Sequence, residues 1–411
     1  MRKYPFLGLL FVILAGLALA QQLAVESNVI NIEVPVRVYR ASRFIDNLTI
    51  DDFDIYEDGK LQKLEAVYLV KKQAIERRDE LTRFAPQTDR SFFLFFEISD
   101  YTEKLGEALD FFIQNVIMPG DNLTITTPMK TYRLKPKAFE SYIRKDIVEQ
   151  LKRILRLDSQ TGSSEYRSAI VDLENLAKAM VGTISDYQNP VSEKLVDTTG
   201  SLPYKDLPFD DLLNRYAEIL ANVESMRTMD QGQLLNFSKI LKSAPGQKYV
   251  YLFYQRELLP KIDPRILYTY TERYQDRPDI YQTVQGIFEF YRRDVLIDVN
   301  AVKQAYADSS TAIHFLLITT PTKELPGIKY FEHSEDVFSA FLEMAQATGG
   351  FVETSANASF LMKSAVESSE NYYLLYYTPR PYNKDGKFHK IVVKVKDKDC
   401  RVSYRLGYYG N

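Results

Sequence analysis

Hydrophobic and polar positions along this chain fall into blocks of distinct period. From 29 to 38 the pattern alternates: Ile30, Ile32, Val34, Val36 and Val38 share one face, while Asn31, Glu33, Arg37 and Tyr39 share the other. A period of two predicts a half-buried strand. Asp58-Gly59 between two β-prone runs, 53–57 and 61–70, predicts a hairpin turn. The charged stretch 71–90 reads as a linker. The run 91–99, Ser-Phe-Phe-Leu-Phe-Phe-Glu-Ile-Ser, is apolar without alternation, as expected of a central strand covered on both faces. Leu105, Leu109, Phe112, Ile113 and Val116 then fall on one helical face. Pro119-Gly120-Asp121 ends that helix, and 122–126 starts a new strand. Strand, helix, turn and strand make a βαβ unit, hence a parallel sheet.

Residues 139–184 read as mostly helical, and 186–208, with scattered prolines and little periodicity, as a long loop. Helix returns with Phe209, Leu212, Leu213, Tyr216, Ile219, Leu220 and Val223. Strands are expected at 248–254 and 311–319, with helices over 279–307 and 334–347, the last stopped by Gly349-Gly350. The C-terminus is β throughout. Tyr372 to Thr378 forms a strand; His389, Ile391, Val393 and Val395 alternate with lysines; Asp397-Lys398-Asp399 turns the chain into Cys400, Val402 and Tyr404. An α/β centre flanked by β segments predicts that 21–70 and 371–411 pair into a small β-sandwich.

The first 20 residues read as a secretory signal peptide: Arg2 and Lys3, an apolar run from Phe6 to Leu19, then Ala18-Leu19-Ala20 as the small-x-small cleavage site. The run is short for a membrane span, and the mature chain is expected not to insert in a membrane. Export, periplasmic or secreted, is the predicted address. Of 411 residues, 52 are basic and 55 acidic; the leader holds two of the basic ones, leaving a mature net charge of −5. That mild acidity argues against nucleic acid as a partner. Cys400 is the single cysteine, so no intramolecular disulfide forms even where the compartment is oxidising. Exported, large and free of disulfides is a combination that suits a bacterial protein.

Chemistry-bearing motifs are sparse. The three histidines, His314, His333 and His389, have no metal-ligand spacing, and there is no GxSxG elbow, P-loop or GxGxxG. His314 sits inside a buried strand and reads as core. Cys400 reads as a small apolar filler. Pairs such as Asp51-Asp52 and Asp210-Asp211 sit where turns and helix starts are expected, as caps and solvated charge. The chain is therefore expected not to be an enzyme and to carry no cofactor.

Three stretches resemble the von Willebrand factor A-related domain family first recognised in Acidobacteria. They are Leu48-Thr49-Ile50-Asp51-Asp52-Phe53-Asp54-Ile55-Tyr56-Glu57-Asp58-Gly59, Ala244-Pro245-Gly246-Gln247-Lys248 with its strand, and the C-terminal set Ala347-Thr348-Gly349-Gly350, Tyr372 to Tyr377, Gly386 to Ile391 and Arg405-Leu406-Gly407-Tyr408-Tyr409. The resemblance implies a Rossmann-like A-type α/β domain over 91–355 with a mainly parallel sheet. It also implies a divalent cation site (the metal-ion-dependent adhesion site, MIDAS) at the C-terminal edge of that sheet. That motif is Asp-x-Ser-x-Ser, a Thr on a second loop and an Asp on a third. Here Glu97 stands for Asp, Ser99 matches, Tyr101 replaces the second Ser, Ser164 takes the Thr position and Gln255 stands near the missing third carboxylate. Mg²⁺ needs near-octahedral oxygen ligands at about 2.0–2.1 Å, and this set does not supply them. The site is expected to be degenerate, with Glu97 and Ser99 capping the next helix or Glu97 paired with Arg256. The same edge, with Asp100, Thr102, Ser163, Glu165 and Arg256, is then expected to bind a protein partner. Carbohydrate binding through Tyr372, Tyr373, Tyr376 and Tyr377, among 29 tyrosines in the chain, and metal-dependent adhesion are the competing expectations.

Overall fold

A computed structural model describes residues 30–410, apart from 42, 189–203, 205, 228–230, 292–296 and 333–334. The expected leader at 1–20 and most of the expected loop at 186–208 lie outside the described residues. No helix among the described residues is long and apolar enough to cross a membrane.

The centre is a six-stranded sheet of Arg90–Glu97, Asn122–Thr126, Thr131–Leu134, Gln247–Gln255, Thr311–Ile318 and Val352–Ser355. Numbered by appearance, the strands lie in the order 3-2-1-4-5-6. All neighbours run parallel except the edge strand Thr131–Leu134. The order reverses between Arg90–Glu97 and Gln247–Gln255. Every residue of Gln247–Gln255 and Thr311–Ile318 is buried, as a sheet covered on both faces requires. Helices Glu103–Phe111, Arg144–Gly162 and Ala358–Glu367 cover one face around Phe92, Phe112, Tyr251 and Leu361. Gln231–Ser243, Val299–Asp308 and Glu335–Ala347 cover the other around Phe315, Phe341 and Tyr306.

A third apolar cluster joins Ser164–Gln188, Phe209–Arg227, Pro264–Arg273 and Pro278–Phe290 to an antiparallel ribbon of Leu258–Ile262 and Ile328–Glu332. The helix at 264–273 has a local cause that the apolar period does not display. Asp263 caps it, its carboxylate accepting Arg265 N at 2.9 Å, and Pro264 occupies the first turn, where its missing N–H costs nothing.

The terminal β segments do pair. Ile32–Arg40 runs antiparallel to both Asn371–Tyr377 and Arg401–Tyr404. Phe53–Glu57 pairs with Phe388–Val395. The two antiparallel sheets enclose Val34, Val36, Ile55, Tyr373, Tyr377, Ile391 and Val393. Two expectations change. Within the stretch read as a linker, Ala74–Glu80 forms an edge strand on Leu64–Lys71. Its alternation of Ala, Ile, Glu, Arg, Arg, Asp and Glu is almost wholly polar, which suits an edge but conceals a strand. Second, Ile32–Arg40 is more than half-buried: Arg37 and Tyr39, on the expected solvent face, are 3% and 7% exposed. The parallel sheet's own connections cover them. Arg37 Nη1 donates to Gly349 O at 3.3 Å, and Leu406 N to Ala347 O at 2.8 Å. At that seam only glycine fits at 350, since a Cβ there would stand 1.7 Å from Ile313 O.

Candidate functional site

In a doubly wound sheet, ligands sit outside the carboxyl ends of the strands where the order reverses. Here that point lies between Glu97 and Gln255. The chain leaves the strand Arg90–Glu97 through Ile98 and Ser99, and its amides face across the gap. Gln255, 5% exposed, reaches over from the neighbouring strand. Its Oε1 accepts Ser99 N at 2.8 Å, Asp100 N at 2.9 Å and Ser99 Oγ at 3.2 Å. One amide oxygen thus satisfies three donors that would otherwise turn toward a ligand.

Arg167 closes the other side. It lies one helical turn beyond Ser163, and its Nη1 donates to Ser99 O at 3.1 Å and to Asp100 Oδ1 at 3.4 Å. Its Nη2 donates to Gln160 O at 2.6 Å. Ser163 is buried and donates to Ile98 O at 3.1 Å. The second loop of the expected motif is instead a break between two helices, Arg144–Gly162 and Ser164–Gln188. Ser164 turns back to Thr161 O at 2.8 Å, so Ser163, not Ser164, points to the sheet edge.

The remaining expected residues divide in the same way. Glu97 ends its strand exposed on the edge, and Glu165 is exposed nearby. Tyr101 leaves the edge: its ring lies under the Arg156 guanidinium, 4.8 Å from the centroid, and its hydroxyl abuts Gly106. Burial, then Glu103, raises its pKa above the usual tyrosine value. Neither Glu97 nor Ser99 caps the next helix. Thr102 holds that position, and its carbonyl takes Leu105 N at 3.0 Å. Arg256 pairs with Glu332 on the antiparallel ribbon, its Nε at 2.5 Å, instead of making the expected pair with Glu97. Sequence reasoning missed Arg167 and Glu332. Only the four-residue step from Ser163 to Arg167 offered a signal for the former.

For a divalent cation this donor set fits poorly. Ser99 and the backbone amides bond the Gln255 amide, Ser164 faces away, and Arg167 sets a positive charge beside the gap. Next to this knot opens a cleft of about 730 Å³. Phe95, Phe237, Leu252, Tyr254 and Met344 line it, together with the exposed Glu97 and Glu165.

A second polar cluster lies in the β part. The Asp58-Gly59 turn brings Asp58 Oδ2 within 2.8 Å of His389 Nδ1, while Asp385 Oδ1 stands 3.2 Å from Nε2. Glu57 beside them accepts the Tyr377 and Tyr408 hydroxyls at 2.7 and 3.0 Å. With carboxylates on both ring nitrogens, only the imidazolium donates to both. Burial lowers the His389 pKa, but the two carboxylates outweigh it and raise the value.

No protein-family model matches the chain, and no curated protein matches it in sequence.

Proposed function

We propose that this chain is an exported, non-catalytic protein-binding module. In this reading, 91–355 is a von Willebrand A-like domain of Rossmann-like type, 21–70 and 371–411 form its small β-sandwich, and the partner is held at the reversal-point edge without a bridging metal. One observation carries the reading. The position where a doubly wound sheet presents ligand donors is filled from within, by Gln255 Oε1 on Ser99 and Asp100, while Asp100 is exposed beside it and the exposed Glu97 and Glu165 line an open cleft. A surface that is prefolded and charged at its rim suits a protein partner better than a reacting small molecule.

The test is affinity capture of the mature chain from its own cells, with and without EDTA, beside a variant carrying Asp100→Ala, Glu165→Ala and Arg256→Ala. A specific partner retained in EDTA and lost with the variant supports the reading. Capture that needs the cation, or is indifferent to the three substitutions, overturns it. The carbohydrate alternative loses its expected platform: Tyr372, Tyr373, Tyr376 and Tyr377 are all buried, split between two apolar clusters.

A further inference from the structure

Between the strand Ile32–Arg40 and the parallel sheet lies a concentration of buried positive charge. Arg37, Lys248 and Arg405 are 3%, 6% and 7% exposed. All three line a small pocket of about 10 Å³, under Pro35 and beside Thr311 and Thr348. That is room for one water-sized sphere.

Among the described residues, the cations' own hydrogen bonds go to neutral oxygens. Arg37 Nη1 donates to Gly349 O and Lys248 Nζ to Ala244 O, at 3.3 and 3.0 Å. Arg405 donates from Nη1 to Ser310 Oγ and from Nη2 to Glu33 O, at 2.5 and 2.7 Å. The Nε–H groups of Arg37 and Arg405 are buried with no partner. These two orphaned donors belong to two walls of the same pocket.

The surrounding charges do not balance the three cations. Glu33 is the near carboxylate, and its oxygens already accept Gln247 Nε2 at 2.8 Å and the Tyr376 hydroxyl. Asp308 acts on Arg405 at longer range but is paired with Lys242 Nζ at 2.5 Å and Tyr409 N at 2.9 Å. His314, buried on the next strand, is pushed down to about 3 by burial and by Arg37, so it is neutral. Burial, then Arg405, brings Lys248 down to about 8, which leaves it mainly protonated at neutral pH. Three buried cations against one carboxylate leave a net charge that water alone does not neutralise, and an uncompensated buried charge is strongly destabilising.

We propose that this pocket binds a one-atom monovalent anion, chloride under cellular conditions, held by Arg37, Arg405 and Lys248. The anion ties the antiparallel strands to the parallel sheet at the seam where 349–350 and 404–406 meet. The site is independent of the partner-binding edge.

Crystals of the whole chain soaked in sodium bromide test it directly. An anomalous peak between the Arg37 and Arg405 guanidinium groups supports the site. Its absence, with water density in the pocket, overturns it. In solution, urea unfolding is followed in sodium chloride and in sodium gluconate at equal ionic strength. Each tenfold rise in chloride above its dissociation constant is expected to raise the folded-to-unfolded ratio tenfold, with no such rise in gluconate. Equal behaviour in the two salts overturns the proposal without any variant having to fold. Lys248→Met, which keeps the stem and removes one charge, is expected to weaken the chloride dependence.

Discussion

Replacing Gln255 by leucine removes the oxygen that ties the two central strands together at their carboxyl ends. Three hydrogen bonds end on it, at 2.8, 2.9 and 3.2 Å. The Ser99 hydroxyl can rotate to another acceptor, and the Asp100 amide belongs to an exposed residue that water reaches. The Ser99 amide, on a half-buried residue, is the group left without a partner. An orphaned buried donor costs about 1–3 kcal/mol, and each lost hydrogen bond a net ~0.5–1.5 kcal/mol. The expected loss for Gln255→Leu is therefore about 2–3 kcal/mol. Gln255→Glu keeps the accepting oxygen in place and gains from Arg167 nearby, so it is expected to stay within about 1 kcal/mol of the parent. Urea unfolding at pH 7 reads both values as midpoint shifts at constant m. The reasoning is refuted if leucine costs less than about 0.5 kcal/mol, or if glutamate costs as much as leucine, since shape and not acceptance would then be what Gln255 supplies.

Asp121 is fully buried and holds Arg90 by two contacts, at 3.1 and 2.7 Å, while accepting Met118 N and Gln73 Nε2; Asp121→Ala is expected to cost about 3–5 kcal/mol by thermal or urea unfolding, because Arg90 stays buried and unpaired. The His389 clasp makes stability depend on pH: because the folded pKa is raised, its contribution is complete below the ordinary histidine value and fades as pH climbs through the folded one. Unfolding midpoints are therefore expected to be higher at pH 6 than at pH 8.5, with the difference reduced in His389→Gln; a difference equal to the parent's would count against the clasp.

The patterns that are local were readable. The apolar run after Ser91, the turn at Pro119-Gly120-Asp121 and the alternation around Val34 each report a neighbourhood of a few residues, and each element is where the pattern puts it. The pairing of N- and C-terminal strands was also legible, because both segments alternate and neither can bury its apolar face alone. What escaped was relational. Nothing about Arg37 in sequence separates a solvent-facing arginine from one sealed under a second sheet. Arg167 reaches a loop 68 positions away, and no period or spacing encodes that reach. In sequence Gln255 shows only what it is not, a carboxylate; its role as acceptor for two amides emerges only once two strands stand side by side. Ser164 fits the motif by its place in sequence, but a helix break shifts that place by one residue and puts Ser163 inside.

The interlacing of the chain's two ends sets an order of events during synthesis. Val36 pairs with Tyr373 on one side and Tyr404 on the other. Apart from a short pairing of Tyr39 and Arg40 with Arg43–Phe44, the strand that leaves the ribosome early therefore has both edges open until residues 371–404 arrive. Such long-range pairing is slow to form and exposes an unpaired edge meanwhile. The parallel sheet between them also needs one distant pairing, Arg90–Glu97 with Gln247–Gln255, but all its strands precede residue 371. A nascent chain cut short before residue 371 would hold a finished parallel sheet beside an adhesive, apolar strand. That makes Asn371–Tyr377 and Arg401–Tyr404 the step that covers the open edges of Ile32–Arg40.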